Sequence, residues 1–162
     1  MIETDSDSGI APSLMQTRFN IQLMTWSDAL PLARAVREQV FIVEQGVPRE
    51  LEWDDWDERS DHAIALDAGS KAIGTARLLP GGRIGRMAVL AHWRRRGVGA
   101  ALLNALLRLA REKGMPEVLL HAQTHAAGFY RRFGFSPRGD EFIEAGISHQ
   151  EMSLTLTRAP EQ

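Results

Sequence analysis

The chain has 162 residues, 44% hydrophobic and 25% charged, with a formal net charge of −2. That length fits one domain with a sizeable core, and the slightly acidic balance speaks against a nucleic-acid partner. There is no cysteine, which excludes disulfides, thiol catalysis and cysteine metal sites and agrees with a reducing, cytoplasmic setting. No apolar run reaches the roughly 20 residues that a membrane helix needs.

The acidic start, "MIETDSDSGIAPSLMQTR", lacks the apolar stretch of a signal peptide and reads as a mobile tail over residues 1–18. A second tail covers residues 158–162, which leaves 19–157 as a single domain. "FNIQLMTW" alternates and predicts a strand over about 19–25. Ser27 is placed to cap a helix through Val40, with Pro31 in its first turn. "RELEWDDWDERSD" is an acidic loop with two tryptophans. "HAIALDA" and "KAIGTARLLP" predict a hairpin across Gly69-Ser70, and "GRIGRMAVL" a further strand. A long helix over about 97–113, a buried strand "PEVLLHAQ", a short helix "THAAGFYRRF" and two last strands complete the order β-α-β-β-β-α-β-α-β-β. This order predicts a mixed α/β domain with an antiparallel meander, not a regular βαβ repeat.

"WRRRGVGAALLNALLRLAREKG" carries the first chemical signal. Leu102, Leu103, Leu106, Leu107, Leu109 and Ala110 give the helix a wide apolar face, so its N-terminus falls at "RRRGVGA". A helix N-terminus offers about four unpaired N–H groups and the positive end of the dipole. Glycines there admit a bulky anion, and arginines add charge and paired donors. These features together describe a pyrophosphate site, while charge pattern alone also allows a solvated basic cluster. The P-loop pattern is absent, and the dinucleotide fingerprint is incomplete because position 102 is leucine.

"RRRGVGAALL" resembles the Arg/Gln-x-x-Gly-x-Gly/Ala turn of the Gcn5-related N-acetyltransferases (GNAT), beginning at Arg94 and placing Gly97 and Gly99. "QTHAAGFYRRFGF" is similar to a second family motif, with Gln123 where asparagine is common, then Ala126, Phe129, Tyr130, Gly134 and Phe135. "VFIVEQGVP", the spacing of Glu52, Asp54 and Asp57, then His62, "AQTHAAGFY" and "EFIEAGISHQEM" resemble the ElaA/YjcF-like branch, which is bacterial. The resemblance implies a mainly antiparallel central sheet flanked by helices, and an N-acetyltransferase that uses acetyl-CoA as co-substrate and an amine as acceptor.

Placed on this chain, the resemblance implies that backbone N–H groups from Arg95 through Ala100 (Arg95, Arg96, Gly97, Val98, Gly99, Ala100) cradle the pyrophosphate, with side chains of Arg94, Arg95 and Arg96 beside them. "GRMAVL" supplies Met87, Ala88 and Val89 to the pantetheine arm, and Gln123 and Ala126 complete the cofactor set. The resemblance further implies that Val89 N–H is the donor to the oxyanion and Tyr130 the general acid; packing on an amphipathic helix is the other reading of Tyr130. For the base, His121 is the first candidate, a hydrogen-bonded strand histidine being its plain alternative, and a water chain the family's other solution. The other candidates are Glu44, Glu52, Asp54, Asp57, His62 and His149.

The acidic loop carries Glu50, Glu52, Asp54, Asp55, Asp57, Glu58 and Asp61, with Trp53 and Trp56. It reads equally as an acceptor lip, where carboxylates draw in a cationic amine and tryptophans stack on it, and as a solvated acidic turn. A metal is not expected, since EF-hand spacing and its central glycine are missing. "HQEMSLTLT" is expected to be an edge strand open to pairing in a homodimer. A weakly catalytic acyl-CoA-binding module or sensor is the alternative to an enzyme.

Overall fold

The computed structural model describes residues 18–156. The expected tails at 1–18 and 158–162 thus lie almost wholly outside the described residues.

Strand β1 (Phe19–Met24) leads into α1 (Trp26–Arg37), which widens into a π-helical segment over Glu38–Glu44. The helix starts before Ser27: Thr25 is the N-cap, its carbonyl accepting N–H bonds from Asp28 at 3.2 Å and Ala29 at 2.9 Å. Pro31 therefore falls inside the helix, not in its first turn. A one-turn helix α2 (Arg49–Glu52) and a 3₁₀ turn (Asp55–Arg59) occupy the acidic loop. Strands β2 (Asp61–Asp67), β3 (Ala72–Leu78) and β4 (Arg83–Val89) form the meander. Helix α3 (Val98–Glu112), β5 (Glu117–Gln123), α4 (Ala127–Arg132), β6 (Ser136–Glu144) and β7 (Ile147–Thr155) follow.

The seven strands form one sheet in the order β1-β2-β3-β4-β5-β7-β6. Every neighbouring pair is antiparallel except β4–β5, which is parallel. Strands β2 and β3 are buried almost throughout, because helices cover both faces. Their side chains alternate between two cores. Ala63, Ala65 and Ile73 meet Val98, Leu102, Leu103 and Leu106 of α3. Ile64, Leu66 and Ala72 meet Ala29, Ala33 and Val36 of α1 and Val40 and Phe41 after it. Gly74 sets how closely α3 approaches, since a Cβ there would meet Val98 Cγ1 at 3.0 Å and Leu102 Cδ1 at 3.2 Å.

The last strand is not an edge. The β6–β7 hairpin folds with β7 inside, paired to β5 from Glu117↔Thr155 to Gln123↔His149, and β6 is left outermost. Met152 of β7 is fully buried, whereas β6 is exposed along most of its length. A homodimer through "HQEMSLTLT" is thereby excluded as edge pairing.

Candidate active site

Strands β4 and β5 pair only at Arg83↔Leu119 and Ile84↔Leu120. Beyond that point β4 leaves its neighbour. The cause is local: Arg86 takes φ 49°, a left-handed conformation that non-glycine residues rarely adopt, and the β3–β4 register shifts between Thr75 and Arg77. A bulge re-aims a strand, and here it opens a gap flanked by Met87, Ala88 and Val89 on one strand and His121 and Gln123 on the other.

Three arginines hold the bulge from the α1 side. Arg37 of α1 donates to Glu52 Oε2 at 2.7 Å and Asp57 Oδ1 at 2.8 Å. Arg77 of β3 donates to Asp54 at 2.7 and 2.8 Å and to Asp57 at 2.8 Å. Arg86 donates to the carbonyls of Leu51 and Glu52 and pairs with Glu52 and Asp54 at 3.3 Å. Trp53 lies against Arg37 with 4.7 Å from guanidinium carbon to ring centroid. Three cations thus meet three carboxylates. Burial raises the Glu52 carboxyl above its ordinary range despite Arg86 and Arg37. Burial acts on Asp54 too, but Arg77 and then Arg86 override it and hold that carboxyl at about 2.

This network takes Glu52 and Asp57 out of the expected acceptor lip, while Glu50, Asp55, Glu58 and Trp56 stay exposed. Glu52 and Asp57 are 3% and 2% exposed, so neither is available to an incoming amine. Trp53 serves Arg37 and Arg34, and Trp56 serves Arg59. His62, a base candidate, is buried against Trp26 with Nε2 2.9 Å from Asp57 O, and burial lowers its pKa. Glu44 is likewise not free: it takes a two-pronged ion pair from Arg94 at 2.7 and 2.8 Å, and this bond lowers its pKa.

On the α3 side of the gap stands Tyr130. Its ring packs against Phe129 and Phe135, and its hydroxyl donates to Met87 Sδ at 3.5 Å. Burial pushes its pKa up to about 12. On the opposite face stands His121, because it alternates with Leu120 and Ala122, which are buried in the α3-side core. His121 Nδ1 lies 3.0 Å from Glu144 and Nε2 3.7 Å from Glu151, with Arg83 at the ring and Phe142 across it. His149 pairs with Gln123 in register, stacks on Phe142 and bonds the Ile147 carbonyl at 2.7 Å. Gln123 exchanges amide hydrogen bonds with Gln45 at 2.9 and 3.4 Å. Ala126 closes the 3₁₀ turn after β5.

Above the gap, the turn before α3 is exposed from Arg94 to Gly97. Gly97 is the left-handed N-cap at φ 86°, and Arg95 is left-handed as well at φ 63°. The bond from Ala101 N–H to Gly97 O opens the helix at 3.0 Å. The N–H groups of Val98, Gly99 and Ala100 therefore precede any helical acceptor. Gly99 leaves room: a Cβ there would make only ordinary contacts, 3.6 Å to Phe129 and 4.0 Å to Val89. Arg96 lies over Trp93 at 5.2 Å. Arg94 departs from expectation, since three of its N–H groups serve Glu44 and the Val89 carbonyl.

Sequence reasoning passed over Gln45, Arg83, Arg86, Glu144 and Glu151. Arg86 had a signal: an arginine inside an apolar strand requires a partner. The others are brought in by the fold alone.

A sheet parted between two parallel strands, with an anion-ready helix N-terminus above the gap, defines an N-acyltransferase architecture. The chain belongs to the GNAT family: residues 29–156 match its acetyltransferase domain model. It is 39% identical over 121 residues to the uncharacterized N-acetyltransferase YjcF of Bacillus subtilis, spanning 72% of this chain and 86% of that one. The crystal structure of Escherichia coli ElaA superposes with a TM-score of 0.76 and 27% identity, covering 84% of this chain and 99% of ElaA. An acyl-CoA N-acyltransferase from Pseudomonas aeruginosa superposes with a TM-score of 0.74 and 28% identity, covering 88% of this chain and all of that one. The protein is thus an acyltransferase of a family that draws on acyl-CoA. Among the described residues, no helix is long and apolar enough to cross a membrane.

Proposed function

We propose that the protein moves an acetyl group from acetyl-CoA to a primary amine of a small molecule or protein by direct attack, in a cytoplasmic setting. The observation that carries this reading is Tyr130, a half-buried side chain whose hydroxyl sits against Met87 beside the parted strands and whose pKa desolvation pushes up to about 12. A phenol of that kind is a proton donor at neutral pH.

The donor fits the residues present. Backbone N–H groups from Arg95 to Ala100 hold the pyrophosphate, and the guanidinium groups of Arg95 and Arg96 add charge to it. Gly97 supplies the turn and Gly99 the room. Met87, Ala88 and Val89 offer the pantetheine arm an extended backbone whose neighbour has moved away. His121 faces the other side of the gap and takes the amine's proton. As nitrogen attacks the thioester carbon, Val89 N–H supports the developing oxyanion. When the carbon–sulfur bond breaks, Tyr130 gives its proton to the leaving thiolate, so the products are an amide and free coenzyme A. Asp54 stays in the arginine network, and His149 shapes the acceptor face through Phe142 and Gln123.

The test is an acetylation assay over a broad amine panel, read by thiol release, on wild type and Tyr130→Phe. The variant is expected to lose about 10²–10⁴-fold in turnover with little change in acetyl-CoA affinity. Unchanged turnover removes Tyr130 from the mechanism. Tight acetyl-CoA binding with no product from any amine points instead to a binding module or sensor.

A further inference from the structure

Two consecutive residues at the end of the π-helical segment reach the two strands that have come apart. Glu44 holds Arg94 through both carboxylate oxygens at 2.7 and 2.8 Å, and Arg94 Nε donates to the carbonyl of Val89 at 2.9 Å. That route ends at the last residue of β4. Gln45 exchanges amide hydrogen bonds with Gln123 at 2.9 and 3.4 Å. That route ends at the last residue of β5. The pairing between β4 and β5 stops at Ile84↔Leu120, so nothing in the strand ladder joins these two ends.

We infer that Glu44 and Gln45 form a strap that sets the width of the β4–β5 gap, with Arg94 belonging to the strap and not to the phosphate cradle. Glu44, Gln45 and Arg94 are positioning residues, acting through Val89 and Gln123. The strap rests on the proposed function, because Val89 and Gln123 are its targets.

The backbone explains how adjacent residues serve opposite sides. Gln45 N–H bonds the Val40 carbonyl at 3.1 Å, a five-residue step that widens the helix at its end. Val47 N–H then turns back to Phe41 O at 2.8 Å, and Gly46 takes φ 76° to allow it. Phe41 and Val47 are buried in the α1-side core, so the strap is anchored at its base. The strap also gives glutamine at position 123 a purpose. The GNAT motif commonly has asparagine there, one methylene shorter, and the longer side chain is what meets Gln45. Arginine at 94 suits the same role. A planar guanidinium can grip a carboxylate on one edge and a carbonyl with Nε, which lysine cannot.

Calorimetry with two titrants separates the alternatives: acetyl-CoA, and 3′-phosphoadenosine 5′-diphosphate, which carries the phosphates without the pantetheine arm. The variants are Glu44→Gln, Gln45→Ala, Arg94→Ala and Arg94→Lys, each checked for an unchanged far-UV spectrum and melting temperature. The strap predicts that all four weaken acetyl-CoA by about tenfold and leave the nucleotide diphosphate unchanged. Two results overturn it. In one, Arg94→Ala loses the nucleotide diphosphate while Arg94→Lys keeps it, which makes Arg94 a phosphate ligand. In the other, Glu44→Gln and Gln45→Ala bind acetyl-CoA as wild type does. A wild-type protein that binds neither titrant overturns the proposed cofactor and the strap together.

Discussion

Two groups of three arginines contrast in this protein. Arg37, Arg77 and Arg86 come from three separate elements and converge on Glu52, Asp54 and Asp57. Arg94, Arg95 and Arg96 are contiguous and stand at the surface. The first group is compensated charge by charge, and its product is geometry: it holds the acidic loop against the β4 bulge. In the second, Arg94 is paired with Glu44, while Arg95 and Arg96 stand exposed beside N–H groups that precede the first helical acceptor, and the proposed function gives these two the binding of an anion. Burial marks the structural group, and the absence of a carboxylate partner among the described residues separates Arg95 and Arg96 from their neighbour Arg94. Charge alone separates neither.

The largest effect comes from the buried side. Arg37→Ala leaves Glu52 and Asp57 without one of their cations, and losing one partner of a buried pair costs about 3–5 kcal/mol. For a chain of this size that lowers the melting temperature by roughly 10 °C, measured by thermal unfolding. Below that temperature, acetyl-CoA affinity holds. The converse variant, Arg95→Ala with Arg96→Ala, leaves the melting temperature nearly unmoved, as surface substitutions do. It weakens acetyl-CoA by about tenfold per guanidinium and flattens the salt dependence, both read by calorimetry. A reversed pair of outcomes would exchange the two roles.

Gly97→Ala has a smaller effect. At φ 86° an alanine costs about 1–2 kcal/mol, seen as a modest drop in melting temperature. The turn shifts with it, and acetyl-CoA affinity falls. The smallest effect is a pH effect in the network. The folded-state pKa of Asp54 is about 2, below its ordinary value of 3.8. Its stabilisation is therefore complete above about pH 4 and is lost as the pH falls toward 2. Asp54→Asn flattens that acid limb in melting temperatures taken across the range.

How legible each region was in the sequence follows the same division. The turn before α3, the apolar face of that helix and the Phe129-Tyr130 helix are local patterns, and they stand where periodicity and motif spacing predict. The buried network is not local. Arg37 lies 15 residues from Glu52 and 20 from Asp57, and Arg86 lies 34 from Glu52. Read alone, the carboxylates look like a solvated or substrate-binding loop, and only the fold brings their partners to them. Arg77 and Arg86 gave the one advance sign, as charges in the interior of mainly apolar strands.

The misplaced edge has a similar origin. Ala145 and Gly146, at φ 51° and 78°, make the tight turn of a hairpin. A hairpin signal does not say which strand joins the sheet. Composition does: "SPRGDEFIE" carries Pro137, Gly139 and three acidic residues, as exposed edges do, while β7 contributes the buried Met152.

The central claim, that the exposed turn is a cradle for acetyl-CoA, is tested most directly by calorimetric titration of the wild-type protein with acetyl-CoA, NAD and ATP at two salt concentrations. Saturable binding of acetyl-CoA alone, persisting at the higher salt, is the expected result. Equal, weak binding of all three that vanishes with salt would contradict it and reduce the turn to a charged surface.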